Sequence, residues 1–312
     1  MTGSILCCGE ALIDFIPVDT ADHGRAYSPC PGGSLYNVAR ALGRLRVPTH
    51  LACGMSTDFF GDQLLAGLRQ SEVGTGFVQR LEAPTTLGFV TLDRAEPAYA
   101  FFDQGAAERI WQAVPEPDAL EGVDALHFGS ISLVREPAGS AYEAFFLRES
   151  GGRRVISFDP NIRESLVTNE DSFRARLDRL LARADIIKIS GADLEWLMPG
   201  AAHDDVAARW LADGARLVVI TQGANGVTGW TGRTRAHAMP IPTRVVDTVG
   251  AGDSFMAGLL AGLHENGLLR HEALAALDEA ALHHALAVGQ NTASITCSRR
   301  GADSPWREEL SV

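Results

Sequence analysis

The chain has 312 residues, 46% apolar and 21% charged, which excludes a wholly disordered or fibrous protein and allows a large core without disulfide or metal staples. Lys and Arg total 27 against 39 Asp and Glu; the net charge of −12 excludes ready nucleic-acid binding, since no basic run exceeds Arg153-Arg154 or Arg299-Arg300. Five scattered cysteines (Cys7, Cys8, Cys30, Cys53, Cys297) without C-x-x-C spacing, no secretory leader and no membrane-length apolar run predict a soluble cytoplasmic protein with free thiols.

In chain order, short apolar runs predict strands over Ile5–Cys8, Leu51–Gly54, Ala125–Phe128, Val155–Asp159, Ile186–Ile189 and Leu217–Thr221. The last three are nearly continuous Val, Ile and Leu, the pattern of parallel strands covered on both faces. Helical periodicity predicts helices over Asn37–Arg46, Asp62–Ser71, Ala138–Glu149, Asp171–Ala182, Asp204–Asp213, Gly252–Leu263 and Ala273–Gly289. Strand–helix alternation predicts a doubly wound α/β fold, a mainly parallel sheet flanked by helices. Two extended segments, Leu12–Cys30 and Thr85–Phe102 with a turn at Glu96-Pro97, break the rhythm and predict a small antiparallel sheet projecting as a lid. No long polar linker occurs, so residues 1–312 read as one domain with lid segments at about 12–33 and 85–104.

Asp247-Thr248-Val249-Gly250-Ala251-Gly252-Asp253-Ser254 places small residues where a loop enters a helix. Backbone amides there lack intrahelical acceptors, and with the helix dipole they form an anion site suited to phosphate. Asp253, in the first turn, is placed to take a proton from a substrate hydroxyl attacking a γ-phosphate; a dipole-favoured helix-start acid is the plainer alternative. A dinucleotide fingerprint is excluded because Phe255 stands where the third glycine is needed, and no G-x-x-x-x-G-K-[ST] run occurs.

These residues resemble the second signature of the ribokinase-like (PfkB) carbohydrate kinases. Pro31-Gly32-Gly33-Ser34-Leu35-Tyr36-Asn37-Val38-Ala39 with Gly54 and Gly61 resembles the first signature, and Gly9-Glu10-Ala11-Leu12-Ile13-Asp14 is similar to the opening of its fructokinase branch. Asp159-Pro160-Asn161-Ile162-Arg163, Thr221-Gln222-Gly223-Ala224-Asn225-Gly226 and the tail from Arg299 to Glu309 resemble further blocks in the same order. The resemblance implies a ribokinase-like fold and an ATP-dependent sugar kinase using Mg2+, with Asp253 as base beside Gly250, Ala251 and Gly252.

It also implies sugar contacts from Asp14, Gly33 and Asn37, with Gly32-Gly33 as a lid hinge. A helix cap at Asn37 and a simple turn at the glycines are the alternatives. Arg163 would meet the sugar or the phosphoryl group, or else pair with Asp159 or Glu164. Lys188, Ser190, Thr221, Gly223 and Gly226 would line the nucleotide phosphates, and Asn291, at a helix end, the adenine. Asp193 stands where the family has Glu in its metal shell, with Glu195 as a stand-in and a helix-start acid as the alternative. A monovalent-cation loop (K+) would draw on Asp247, Val249, Thr296, Arg299 and Gly301. The opening block and Asp103, an acid where a carboxylate-bearing substrate would need a cation, favour fructose over 2-keto-3-deoxygluconate. A catalytically silent sugar-binding regulator is the non-enzymatic reading. An exposed lid edge predicts a homodimer.

Overall fold

A computed structural model describes residues 3–20, 24–91 and 98–311. The elements are β1 (Ser4–Cys8), β2 (Leu12–Thr20), β3 (Gly24–Gly32), α1 (Ser34–Arg44), β4 (Thr49–Ser56), α2 (Phe59–Gln70), β5 (Val78–Leu81), β6 (Leu87–Thr91) and β7 (Ala98–Phe102). There follow β8 (Val123–Gly129), α3 (Ala138–Glu149), β9 (Val155–Asp159), α4 (Glu170–Leu181), β10 (Ile186–Ser190), α5 (Gly191–Leu197), α6 (His203–Asp213) and β11 (Leu217–Thr221). The chain closes with β12 (Val227–Trp230), β13 (Arg235–Ala238), α7 (Ala251–Glu265), α8 (His271–Ala275) and α9 (Glu279–Cys297).

Nine strands form one sheet in the order β13-β12-β11-β10-β9-β8-β1-β4-β5, parallel from β11 to β5, with β12 and β13 added antiparallel. Successive side chains of a strand serve opposite faces, which explains the unbroken apolar runs. Ile5 and Cys7 join the core beneath α1, α7 and α9, whereas Leu6 and Cys8 join the core beneath α3, α4 and α6; Val219 and Ile220 divide the same way. Since the two layers bury the central strands almost completely, the middle of the sheet is a rigid platform.

All six predicted strands and the α3 boundaries are present. The predicted helix over Ala273–Gly289 is instead two helices, because Asp278 accepts from Ala281 N (2.8 Å) and caps a new start after α8. The predicted small antiparallel sheet is mixed: its order is β3-β2-β6-β7, and the central pair β2–β6 is parallel. The connection from β3 to β6 runs through α1, β4, α2 and β5, which supplies the length a parallel pairing needs. The turn predicted at Glu96-Pro97 lies outside the described residues. β5, β12, β13 and α5 were too short for periodicity to reveal. No described helix is long and apolar enough to cross a membrane.

From β1 the chain passes to β4 and β5 on one side, then returns to β8 on the other. A crevice therefore opens beyond the carboxyl ends of β1 and β8. Gly129 lies there in tight contact with β9: a Cβ on it would stand 1.8 Å from Asp159 O. Gly129→Ala should therefore force the two strands apart and destabilise the chain by about 3 kcal/mol, read as a lowered melting temperature and denaturation midpoint.

Candidate active site

Gly250 caps α7 in the left-handed conformation (φ 74), and a Cβ there would lie 2.5 Å from Ala302 Cβ, so only glycine fits. Ala251 N donates to Thr248 O (3.2 Å), whereas among the described residues the amides of Gly250, Gly252 and Asp253 have no acceptor. This is an anion site of three free amides, with Ala251 N turned back to Thr248. Lys188, buried on β10, places its Nζ 3.3 Å from where a Gly252 Cβ would stand and is ion-paired with Asp159 (2.6 Å).

Asp253 faces this anion site from the first turn of α7 and is only 8% exposed. Ser34 Oγ donates to its Oδ1 (2.7 Å) and Asn37 Nδ2 to its Oδ2 (2.9 Å). Burial pushes its pKa up, opposed by those two hydrogen bonds and by Arg163 and Lys188. α1 supplies both donors because it starts at Ser34, earlier than predicted, after Gly33 turns the chain at φ 99. Asn37 lies within the helix, not at its cap, and reaches across to α7. Ser34 N is in turn held by Glu10 Oε1 (2.8 Å).

Asp14 lies on β2 between two glycines. A Cβ on Gly32 would come within 2.2 Å of Asp14 Oδ2, and one on Gly88 within 2.8 Å of Oδ1. Burial, only partly opposed by Arg163, raises its pKa to about 7, with Asp253 and Glu10 adding to the rise. Arg163 pairs with neither Asp159 nor Glu164; its Nη1 donates to Asn161 Oδ1 (2.8 Å) and it faces Asp14, Asp193 and Asp253.

Ser190 caps α5: its Oγ accepts from Asp193 N (3.0 Å) and donates to Asp193 Oδ2 (2.8 Å). Asp193 thus has its helix-start role, yet it remains near Lys188 and Arg163, and burial raises its pKa. Glu195 is exposed and accepts from Gly200 N (3.2 Å), so it does not stand in for Asp193. Thr221 is the register neighbour of Ser190, and Gly223 and Gly226, both at positive φ, turn the chain into β12. Asn291 is not at a helix end: α9 continues to Cys297, and the buried Asn291 Nδ2 has no partner.

Asp247 ties two loops together, its Oδ1 accepting from Val249 N (3.0 Å) and its Oδ2 from Gly301 N (2.8 Å). Thr296 Oγ1 is buried 2.9 Å from Ser254 Oγ. Arg299 pairs with Glu309 and, at 3.8 Å, Asp303, so its side chain is committed to the tail. Among the described residues no group of three His, Cys, Asp or Glu stands together as a metal cage.

Residues 2–309 match the pfkB family carbohydrate kinases. The chain belongs to this family. It is 44% identical to a fructokinase of Rhizobium leguminosarum bv. trifolii over 90% of this chain and 86% of that protein. It is 33% identical to a Klebsiella pneumoniae fructokinase over 99% of both. The fold superposes on a Xylella fastidiosa fructokinase with bound ATP at a TM-score of 0.88, with 26% identity, covering 99% of this chain and 95% of that one.

Within this pfkB kinase, the reading from sequence named Asp253 and Asn37 but missed that Ser34, Glu10 and Asp159 hold them and Lys188 in place. All three stand inside the quoted signature blocks, but their roles depend on contacts distant in sequence. The buried Asp14 makes a direct test. A carboxyl-13C titration of the ligand-free chain should show an aspartate protonated below about 7 and ionised above it. Gly32→Ala should push that carboxyl towards water and its pKa back towards 3.8.

Proposed function

We propose that this chain is an ATP-dependent fructokinase that phosphorylates the 6-hydroxymethyl group of fructose. The observation that carries the reading is the convergence of the Asp253 carboxylate, bare α7 amides and the Lys188 ammonium on one small volume. Asp253 takes the proton of the sugar hydroxyl, the oxygen bonds to the γ-phosphorus, and the bond to the ADP oxygen breaks in line. The amides of Gly250, Gly252 and Asp253 with Lys188 stabilise the charge on the transferring group. Asp14 and Asn37 orient hydroxyls, while the small sheet excludes water as a competing acceptor.

We assign Thr221, Gly223, Gly226 and Ser190, at the ends of the neighbouring strands β10 and β11, to the nucleotide phosphates, and Asn291, whose buried Nδ2 has no hydrogen-bond partner among the described residues, to the adenine. Magnesium would arrive with the triphosphate and would neutralise part of its charge, with Asp193, near Lys188 and Arg163, the residue placed to orient its water. The Asp247 and Gly301 loops are the support for a potassium site. The acidic surface and free thiols support a cytoplasmic location.

One observation favours 2-keto-3-deoxygluconate as a second reading. Asp103, the acid counted against a carboxylate-bearing sugar, is paired with both Arg135 (2.8 Å) and Arg109 (3.2 Å), so its charge is more than balanced. A homodimer through the small sheet is supported by its aromatic surface: Phe89 packs on Phe15, Tyr27 and Phe102, and Phe102 is 64% exposed. Asp253→Asn should lower kcat by about 10²–10⁴-fold with fructose and ATP still bound, measured by ADP release and calorimetry. Across fructose, ribose, tagatose and 2-keto-3-deoxygluconate, the highest kcat/KM should belong to fructose; a higher value for the acid sugar selects the second reading.

A further inference from the structure

Two buried carboxyls lie where the small sheet joins the body. Glu10, 1% exposed, leaves β1 just before β2; its Oε1 holds Ser34 N, and its carbonyl accepts from Tyr36 N (3.2 Å). A Cβ on the turning residue Gly33 would meet Glu10 O at 2.9 Å, so the exit from β3 rests directly on Glu10. Glu108, 3% exposed in the loop after β7, accepts from Thr86 Oγ1 (2.9 Å), and Thr86 O accepts from Ile13 N (3.0 Å), next to Asp14. One carboxyl therefore secures the strand exit that carries Ser34 to Asp253, and the other secures the entry to β6 beside Asp14.

The two acids are compensated unequally: Ser34 N and the Ser130 and Ser132 hydroxyls from the turn after β8 favour the ionised Glu10, whereas the hydrogen bond favouring an ionised Glu108 comes from Thr86. Cys53 of β4 and Tyr142 of α3 face both acids, and burial keeps both of those groups neutral. Asp14 and Asp103 add negative charge, and the cation next to Glu108, Arg109, is paired with Asp103. Of the two, Glu108 has the fewer hydrogen bonds to favour an ionised form. Burial raises both, with Glu10 adding to the rise at Glu108, which reaches about 8.

We propose that Glu10 and Glu108 are positioning residues that keep the root of the small sheet seated, Glu10 setting Asp253 through Ser34 and Glu108 setting Asp14 through Thr86. The proposal rests on the kinase reading above for its kinetic effect but not for its titration. Below about pH 8 Glu108 keeps its proton; above it a second negative charge appears near Glu10 and loosens the sugar side of the site.

The test is the pH dependence of fructose KM and kcat for the full chain, Glu108→Gln and Thr86→Val. The wild type should show KM rising about tenfold per pH unit beyond about pH 8, with kcat changing less, as loss of one proton requires. Glu108→Gln should abolish that rise. Thr86→Val, which removes a hydrogen bond favouring the ionised acid, should move its midpoint upward. A KM rise that persists in Glu108→Gln, or a midpoint unmoved by Thr86→Val, overturns the proposal.

Melting temperature without substrate decides the matter even if fructose is not turned over. A group whose folded-state pKa is raised loses its stabilising effect as pH climbs to that value. Asp14 is ionised above about 7, so a further fall in stability up to about 8 belongs to Glu108. That fall should vanish in Glu108→Gln; an identical fall in the variant overturns the proposal, whereas wild-type inactivity on fructose with the fall abolished overturns only the substrate reading.

Discussion

The site depends on keeping one carboxylate charged in a place that opposes its charge. Asp253 is buried at the start of α7, and water cannot solvate it freely. Ser34 and Asn37 replace that water with two fixed donors, and the α7 amides, Lys188 and Arg163 supply the positive field. The donors come from α1, the amides from α7 and the cations from the ends of β9 and β10, so the nine-stranded sheet must hold these four elements in register. The two buried cores on either face of that sheet provide the rigidity.

Glycines perform the complementary task of making room. Gly32 and Gly88 leave the volume that the Asp14 carboxyl occupies between β3 and β6, and Gly129 lets β8 and β9 close together at the crevice. Removing side chains at those points lets the Asp14 carboxyl sink into the site, where burial and then the nearby Asp253 raise its proton affinity. The cost of that crowding is offset by lysine and arginine placed among the acids.

Much of this was legible in the chain itself. Continuous Val and Ile runs marked β9, β10 and β11 because both faces of those strands are covered, and the small-residue run before Asp253 marked a helix start with bare amides. What stayed hidden involved partners distant in sequence. The parallel pairing of β2 with β6 follows from spatial return, not from local alternation. Asn291 looked terminal because Gly289 suggested a stop, yet packing of α9 against α7 carries the helix on to Cys297, overriding glycine's weak helical preference. Arg163 was placed in the site, but that it has no ion-pair partner among the described residues and is held by Asn161 emerges only in three dimensions.

That guanidinium has an electrostatic consequence. Arg163 is tethered by its own loop, through Asn161, while Asp14, Asp193 and Asp253 all sense its charge. Any motion or substitution that displaces it alters three acid dissociations together. The breaks that Asp14, Asp193 and Asp253 put into a rate-versus-acidity curve are therefore coupled constants of that assembly.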